Sequence, residues 1–421
     1  MRVERRKVAV IGAGVAGLTA AYVLSSSREV TLYEADGRLG GHAHTRELAG
    51  RGGRTVAVDS GFIVHNERTY PTLLRLFGEL GVSTQDTEMS MSVRCDGCAL
   101  EYAGARGPGG LFASRAALRG RHLRLLAEVP LFHRAARRLL ARGGHPGATF
   151  GDFLRDNGFS PYFVGHFALP LVSAVWSCPA RTALAHPAAY LFAFLDHHGL
   201  LSVTGSPRWK TVTGGSAAYV EAAAKHVQRV RTASPVEAVR RTGRGALVTT
   251  RDGATETYDA VVVATHPDQA LRMLADATPD ERRVLGAFTY SRNPTVLHTD
   301  TSVLPRSPRA RASWNYHLTG CDPSADPVRV SYDMRRLQRL PAGAEYVVTL
   351  GGDDLVAPDR VVERMVYEHP VYTPASVAAQ KELPGLNTRV TAYAGAWHGW
   401  GFHEDGCRSG VLAARALGVR W

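Results

Sequence analysis

Gly12, Gly14 and Gly17 stand in GxGxxG register directly after the apolar run of residues 8–11. That register suits a pyrophosphate. Gly12 allows a tight turn, Gly14 lets backbone N–H groups approach the anion, and Gly17 lets a helix pack closely on a strand. Ala13, Val15 and Ala16 would present their own N–H groups at the same helix N-terminus. Glu34, with Ala35 after it, lies 22 positions beyond Gly12, the gap at which a carboxylate accepts from ribose hydroxyls. Cys95 and Cys98 have CxxC spacing around Asp96-Gly97. As chemistry that is half of a zinc or redox site; as structure it is a hairpin turn. No second CxxC, no HExxH and no carboxylate–histidine cluster occurs, so the hairpin reading is favoured and no metal is expected.

These side chains need particular elements to place them. Residues 7–11 are predicted as a buried parallel strand, 15–24 as the following helix, and 29–34 as a second strand ending in the acid. The basic start and apolar residues 8–24 could also be a signal peptide; the glycines and the acid in register favour the dinucleotide reading. At 421 residues the chain has length for two or three domains. The net charge of +12 favours anionic partners. No zinc finger, RNP-like motif or long basic run accompanies it, so nucleic acid is not an expected partner. Five cysteines, sparse and odd in number, suit a reducing cytoplasm.

Residues 110–200 are predicted as helices, the stretch 118–140 being amphipathic with arginines outward and Thr149 capping the next helix. This stretch could lie on anionic lipid or simply be solvated. Phe150, Phe153, Phe159, Tyr162, Phe163, Phe167, Trp176, Tyr190, Phe192 and Phe194 make the region aromatic. They would form either an apolar tunnel or a packed helical core. Residues 291–350 alternate in the manner of a sheet.

After Glu34 runs Asp36-Gly37-Arg38-Leu39-Gly40-Gly41-His42-Ala43-His44-Thr45. This resembles the arginine and glycine-pair motif of the FAD-dependent amine-oxidase and phytoene-desaturase superfamily. The wording as a whole resembles a bacterial subgroup of predicted FAD/NAD-binding oxidoreductases. The resemblance implies that Arg38, Gly40, Gly41 and His42 lie at the FAD pyrophosphate; most members have an arginine where His42 stands. Asp59-Ser60-Gly61-Phe62-Ile63-Val64-His65-Asn66 is similar to the loop that approaches the isoalloxazine. Pro235-Val236-Glu237 is similar to the strand whose backbone reads the adenine. Gly395-Ala396 and Gly401-Phe402-His403-Glu404-Asp405-Gly406 resemble the C-terminal FAD motif. The family's ribityl acid is replaced by Ala396, with Glu404 or Asp405 as substitutes.

The implied fold is α/β. A Rossmann-like FAD-binding domain of the glutathione-reductase type (1–75, 205–265, 385–421) would be interleaved with an α+β substrate domain (76–204, 266–384). The helical insert at about 110–200 belongs to the latter. FAD is expected to be non-covalent. The implied function is hydride transfer from an apolar, lipid-like substrate to flavin N5, as in a fatty acyl desaturase. A redox-neutral fatty acid isomerase, a flavin amine oxidase and an FAD-bound partner subunit of a lipid-modifying enzyme are the alternatives. None of Lys7, Lys210, Lys225 and Lys381 matches the amine oxidases' lysine. No second GxGxxG indicates a nicotinamide site, so reoxidation would fall to oxygen, a quinone or a carrier. His65, His398 and His403 are the candidate proton carriers and Trp400 the candidate wall of the substrate site. Each could equally be structural. The expected location is cytoplasmic, with contact at an anionic membrane open.

Overall fold

The computed structural model describes residues 5–50, 53, 55–144, 147–203, 205–322, 327–343 and 345–421. At its centre the strand Lys7–Ile11 pairs in parallel with Glu29–Tyr33 on one side and Ala260–Val263 on the other. Arg229–Arg231 and Thr391–Tyr393 complete a five-stranded parallel sheet. Val8–Ile11 and Ala260–Val263 carry no polar alternation because both faces of the sheet are covered. Val8 and Val10 face the helices Val15–Ser25 and His403–Ala416. Ala9 and Ile11 face the meander Val236–Thr242, Gly245–Thr250, Thr255–Tyr258 and the helices Pro267–Met273 and Pro279–Leu285. The last two helices fall inside the segment expected to serve the substrate domain. They pack beneath the parallel sheet because its second apolar face needs a cover.

A seven-stranded sheet forms the other layer. Its order is Val361–Val371, Thr289–His298, Val347–Leu350, Val330–Asp333, Trp314–Leu318, Met91–Cys95 and Leu100–Gly104. Neighbours are antiparallel except Trp314–Leu318 with Met91–Cys95. The CxxC segment is the turn of the last hairpin, with Cys95 opposite Leu100.

The insert begins with the long helix Gly120–Ala141. Thr149 then caps Phe150–Asp156: its hydroxyl accepts from the Asp152 N–H, and the Asp152 carboxylate accepts from the Thr149 N–H. Phe132 is the hub of this layer, with Phe150, Phe153, Phe159, Phe163 and Phe192 rings within 6.3 Å of its own. Most of the expected aromatic stripe is therefore packed core. Among the described residues no helix is long and apolar enough to cross a membrane.

Candidate functional site

The helix Val15–Ser25 starts at Gly14, whose extended backbone offers no side-chain cap. Its first N–H groups are therefore orphans that face an open cleft. Gly12 has φ +97° and Gly17 sits so close that a Cβ there would stand 1.8 Å from the Gly12 carbonyl oxygen. No other residue permits this turn with this helix on top of it. A Cβ on Gly14 would meet nothing within 4 Å, so the space above the helix N-terminus is free. Glu34 ends the second strand, and its carboxylate accepts from the N–H groups of Ala13 (2.8 Å) and Asp36 (2.9 Å).

From this point a single cavity of about 1530 Å³ runs in two directions. One arm reaches Ser234–Glu237 and Arg251; the other passes Gly61–Val64, Gly395–Trp397 and Trp400–His403. It then continues into the insert between Leu125, Leu126, Val129, Phe167, Leu171 and Val175. The exposed lining residues Ala105, Gly107, Pro130 and Val203 mark an opening to solvent. Pro130 interrupts the long helix, so the Leu126 carbonyl lacks its helical partner where both residues line the channel.

Several expected cofactor residues line the cavity: Gly12, Ala13, Gly14, Val15, Ala16, Glu34, Ala35, Gly40, Gly41, His42, Gly61, Phe62, Ile63, Val236, Gly395 and Phe402. Gly17 lies behind the turn. The Arg38 guanidinium is turned onto the carbonyls of Leu39 and Gly41, bracing the glycine-pair turn from outside the lining. Neither proposed replacement for the ribityl acid reaches the cavity. The Glu404 carboxylate accepts from Thr72 and Leu73 N–H and so caps the helix Pro71–Leu80. Asp405 caps its own helix at the Phe402 N–H. Both acids follow helix geometry: an acid at a helix start is drawn to the nearest free N–H groups.

The four candidate catalytic residues divide. Trp400 and His403 line the cavity; His65 and His398 do not. His403 is stacked on Phe62 at 3.6 Å and its Nε2 lies 3.1 Å from the Tyr219 hydroxyl. His65 is buried against Phe77, and His398 against Trp397. Burial pushes His65 down to about 4, and His398 and His403 down to about 3. All three are neutral imidazoles near pH 7, the form that accepts a proton rather than donates one. Among the described residues, the buried Trp400 Nε1–H finds no hydrogen-bond partner, and neither does Nε2 of His42. Both belong to the lining and are free to meet a bound group.

The loop that carries Trp400 is held from three sides. Gln380 donates to the carbonyls of Trp397 and Gly399, Tyr190 donates to Gly399, and the Trp176 indole donates to Trp400. The facing loop is held by Asp59. Its buried carboxylate accepts from Thr45 Oγ1, Ser216 N and Oγ, and Gln338 Nε2. This ties Gly61 and Phe62 to the turn after Gly214-Gly215.

Sequence reasoning missed a polar wall supplied by the seven-stranded sheet and its flank. His266, Tyr290, Tyr367, Glu368 and His369 all line the cavity near His42. His266 stacks on Tyr290 at 4.0 Å and lies 3.2 Å from a Glu368 oxygen. Burial lowers His369 to about 4 and puts His42 well below its ordinary value. Tyr367, Glu368 and His369 lie on the strand Val361–Val371, Tyr290 on its neighbour Thr289–His298, and His266 just before the helix Pro267–Met273, so only the folded chain brings the three segments together.

The residues present fit FAD. An uncapped helix N-terminus, a free space above Gly14, an acid at the second strand and two unpartnered donors or acceptors share one elongated cleft. A family model described as flavin containing amine oxidoreductase matches residues 15–297. A CLA-producing fatty acid isomerase from P. acnes superposes with a TM-score of 0.70 at 18% identity, covering 99% of both chains. Cyclohexylamine oxidase from Brevibacterium oxydans IH-35A gives 0.69 at 15%, covering 98% of both. A putrescine oxidase bound to putrescine gives 0.66 at 14%, again over 98% of both. At these identities the likeness is one of fold.

Proposed function

The chain belongs to the flavin-containing amine oxidoreductases, an FAD-dependent oxidoreductase family, and from that premise we propose that it acts on an apolar, lipid-like substrate. One observation carries the reading. The cofactor cleft continues without a break into a channel whose walls from the insert are aliphatic and aromatic. Among the described residues, the insert's share of the lining holds no lysine, arginine or carboxylate, and its two histidines, His133 and His198, are both lowered to about 4 by burial. An ammonium entering this channel would lose its hydration with no anion to replace it, whereas an alkyl chain gains from burial.

Bound in the cleft, FAD supplies hydride acceptance. The chain's own residues bind, orient and exclude water. The helix start at Gly14–Ala16 and His42 would hold its phosphates. Phe62, Gly395–Trp397 and Trp400–His403 would border its ring, with Trp400 on the side of the channel. Val203 and Pro130 are exposed members of the lining, and the helix that carries Pro130 also exposes Leu131, Arg134 and Arg138. That rim suits substrate taken from an anionic lipid surface. A second reading, redox-neutral isomerisation of the same substrate class, is favoured because the described residues of the insert's lining include no carboxylate or lysine to take a proton. It fits the fatty acid isomerase neighbour.

The test is anaerobic. Purified flavoprotein is mixed with unsaturated and saturated fatty acids, free or in anionic vesicles, and products are weighed and their double bonds located. Loss of two hydrogens with flavin bleaching marks desaturation, and a shifted double bond at unchanged mass marks isomerisation. If no fatty acid changes while putrescine or cyclohexylamine releases peroxide in air, the lipid reading is lost.

A further inference from the structure

Four side chains from three distant parts of the chain meet at one end of the seven-stranded sheet. Cys95 closes the strand Met91–Cys95, and Cys98 stands in the turn that follows. His166 comes from the widened helical turn Val164–Ala168 of the insert, and Cys321 follows the strand Trp314–Leu318. Their ligand atoms all lie within 4.8 Å of one another. Cys95 Sγ is 3.8 Å from Cys321 Sγ, and Cys98 Sγ is 3.6 Å from His166 Nε2. A tetrahedral zinc with bonds of about 2.3 Å to sulfur and 2.0–2.1 Å to nitrogen needs edges of roughly 3.8 and 3.6 Å.

The surroundings are arranged for the same donors. His166 Nδ1 lies 3.1 Å from the Tyr162 carbonyl oxygen, so Nδ1 carries the hydrogen and Nε2 turns its lone pair toward the thiols. The ring is stacked on Tyr162 at 4.0 Å, which fixes its plane. Ala99, directly after Cys98, is held at φ +55°, a conformation an alanine adopts only under constraint. A Cβ on Gly97 would stand 3.1 Å from the Cys321 nitrogen, so the turn abuts the segment that brings the third thiol.

We propose that the chain binds one zinc ion through Cys95, Cys98, Cys321 and His166. Four protein donors leave no open position, so the ion is structural. Binding displaces the thiol protons to solvent and transfers no electrons. Cys95, Cys98 and His166 are buried, and the exposed Cys321 gives the entry. The ion would pin the insert to the sheet where Val93, Tyr102 and Phe167 face the channel, so it would stiffen one wall of the cavity. It is independent of what the flavin reacts with.

The flavin-loaded protein, purified under reducing conditions and passed through chelator, is expected to retain about one zinc per chain. Cys98→Ser and Cys321→Ser should each lose it with flavin retained, and His166→Cys should keep it as a four-thiolate site. Should the variants fail to fold, metal-free wild type is titrated with cobalt(II). One equivalent should give the absorption of a tetrahedral cobalt–thiolate site and be displaced by zinc. Zinc below a tenth of an equivalent with no cobalt–thiolate band overturns the proposal. So does zinc retained in all variants, or a Cys95–Cys321 disulfide in the metal-free protein as isolated.

Discussion

Asp59 shows how much of the cofactor cleft rests on one side chain. Its carboxylate holds four donors from three segments, and burial pushes its pKa up against them. Removing it leaves those donors buried and unpaired, with hydrogen bonds to a charged acceptor lost at about 1.5–3 kcal/mol each before relaxation. Asp59→Ala is therefore expected to lower stability by about 3 kcal/mol and to release flavin at a lower temperature. Flavin fluorescence during melting reads this, and an unchanged release temperature refutes it. The motif around Asp59 was legible because its run of residue types resembles the family's flavin-facing loop. The orientation of His65 and His398 was not. A histidine beside a glycine motif carries no local sign of whether its ring faces a cleft or a neighbouring Phe77 or Trp397. The same limit hid the inward turn of Glu404, whose partners Thr72 and Leu73 stand more than 330 positions away.

The insert is where helical periodicity stops being informative. A 3.6 period marks the apolar side of a helix but not whether that side meets another helix or a void. Of the ten aromatic residues, only Phe167, Trp176 and Phe194 line the cavity; the channel wall is otherwise mostly Leu and Val from two helices. Ala174, almost wholly buried at 1% exposure, is a small residue on that wall. Ala174→Trp should fill the channel at a cost of about 1–3 kcal/mol in overpacking. Its flavin spectrum should stay native while turnover of long acyl chains falls at least tenfold and that of short ones falls less. Equal loss for all chain lengths would mean the channel is not the substrate's path. The hairpin at Cys95–Cys98 was readable from its turn, yet that reading did not settle its chemistry. His166 and Cys321 are lone residues, and only the sheet's parallel pairing of Met91–Cys95 with Trp314–Leu318 brings the last thiol across. The cofactor segments were legible at the level of strand and helix, whereas the cover of the sheet's second face was not. Pro267–Met273 has no pattern that distinguishes one sheet from another as its partner.

Burial sets an acid–base character for the chain as one cooperative body. His65, His133, His186, His198, His298 and His369 are held near 4, and His398 and His403 near 3, against 6.5 for a free imidazole. Below pH 6.5 the unfolded chain takes up protons that the folded chain refuses, so stability rises with pH across this range and is lost as pH falls toward 4. Asp405 works the other way. Burial raises it from 3.8 to about 7, so between those values the folded chain keeps a proton that the unfolded chain has released, and stability falls as pH rises. Burial raises Asp59 and Asp333 in the same direction, but three acids are outnumbered by these eight imidazoles and by His44, also held near 4, and the net profile should climb from pH 4 to 6.5. Asp405→Asn can still accept from the Phe402 N–H but no longer titrates. Its stability relative to wild type should grow from pH 4 to 7 and then level off, by at most on the order of 4 kcal/mol. Denaturant midpoints at half-unit pH steps measure both curves. A difference between variant and wild type that stays flat from pH 4 to 8 would show that Asp405 is charged throughout, and that the start of the last helix admits water its packing here excludes.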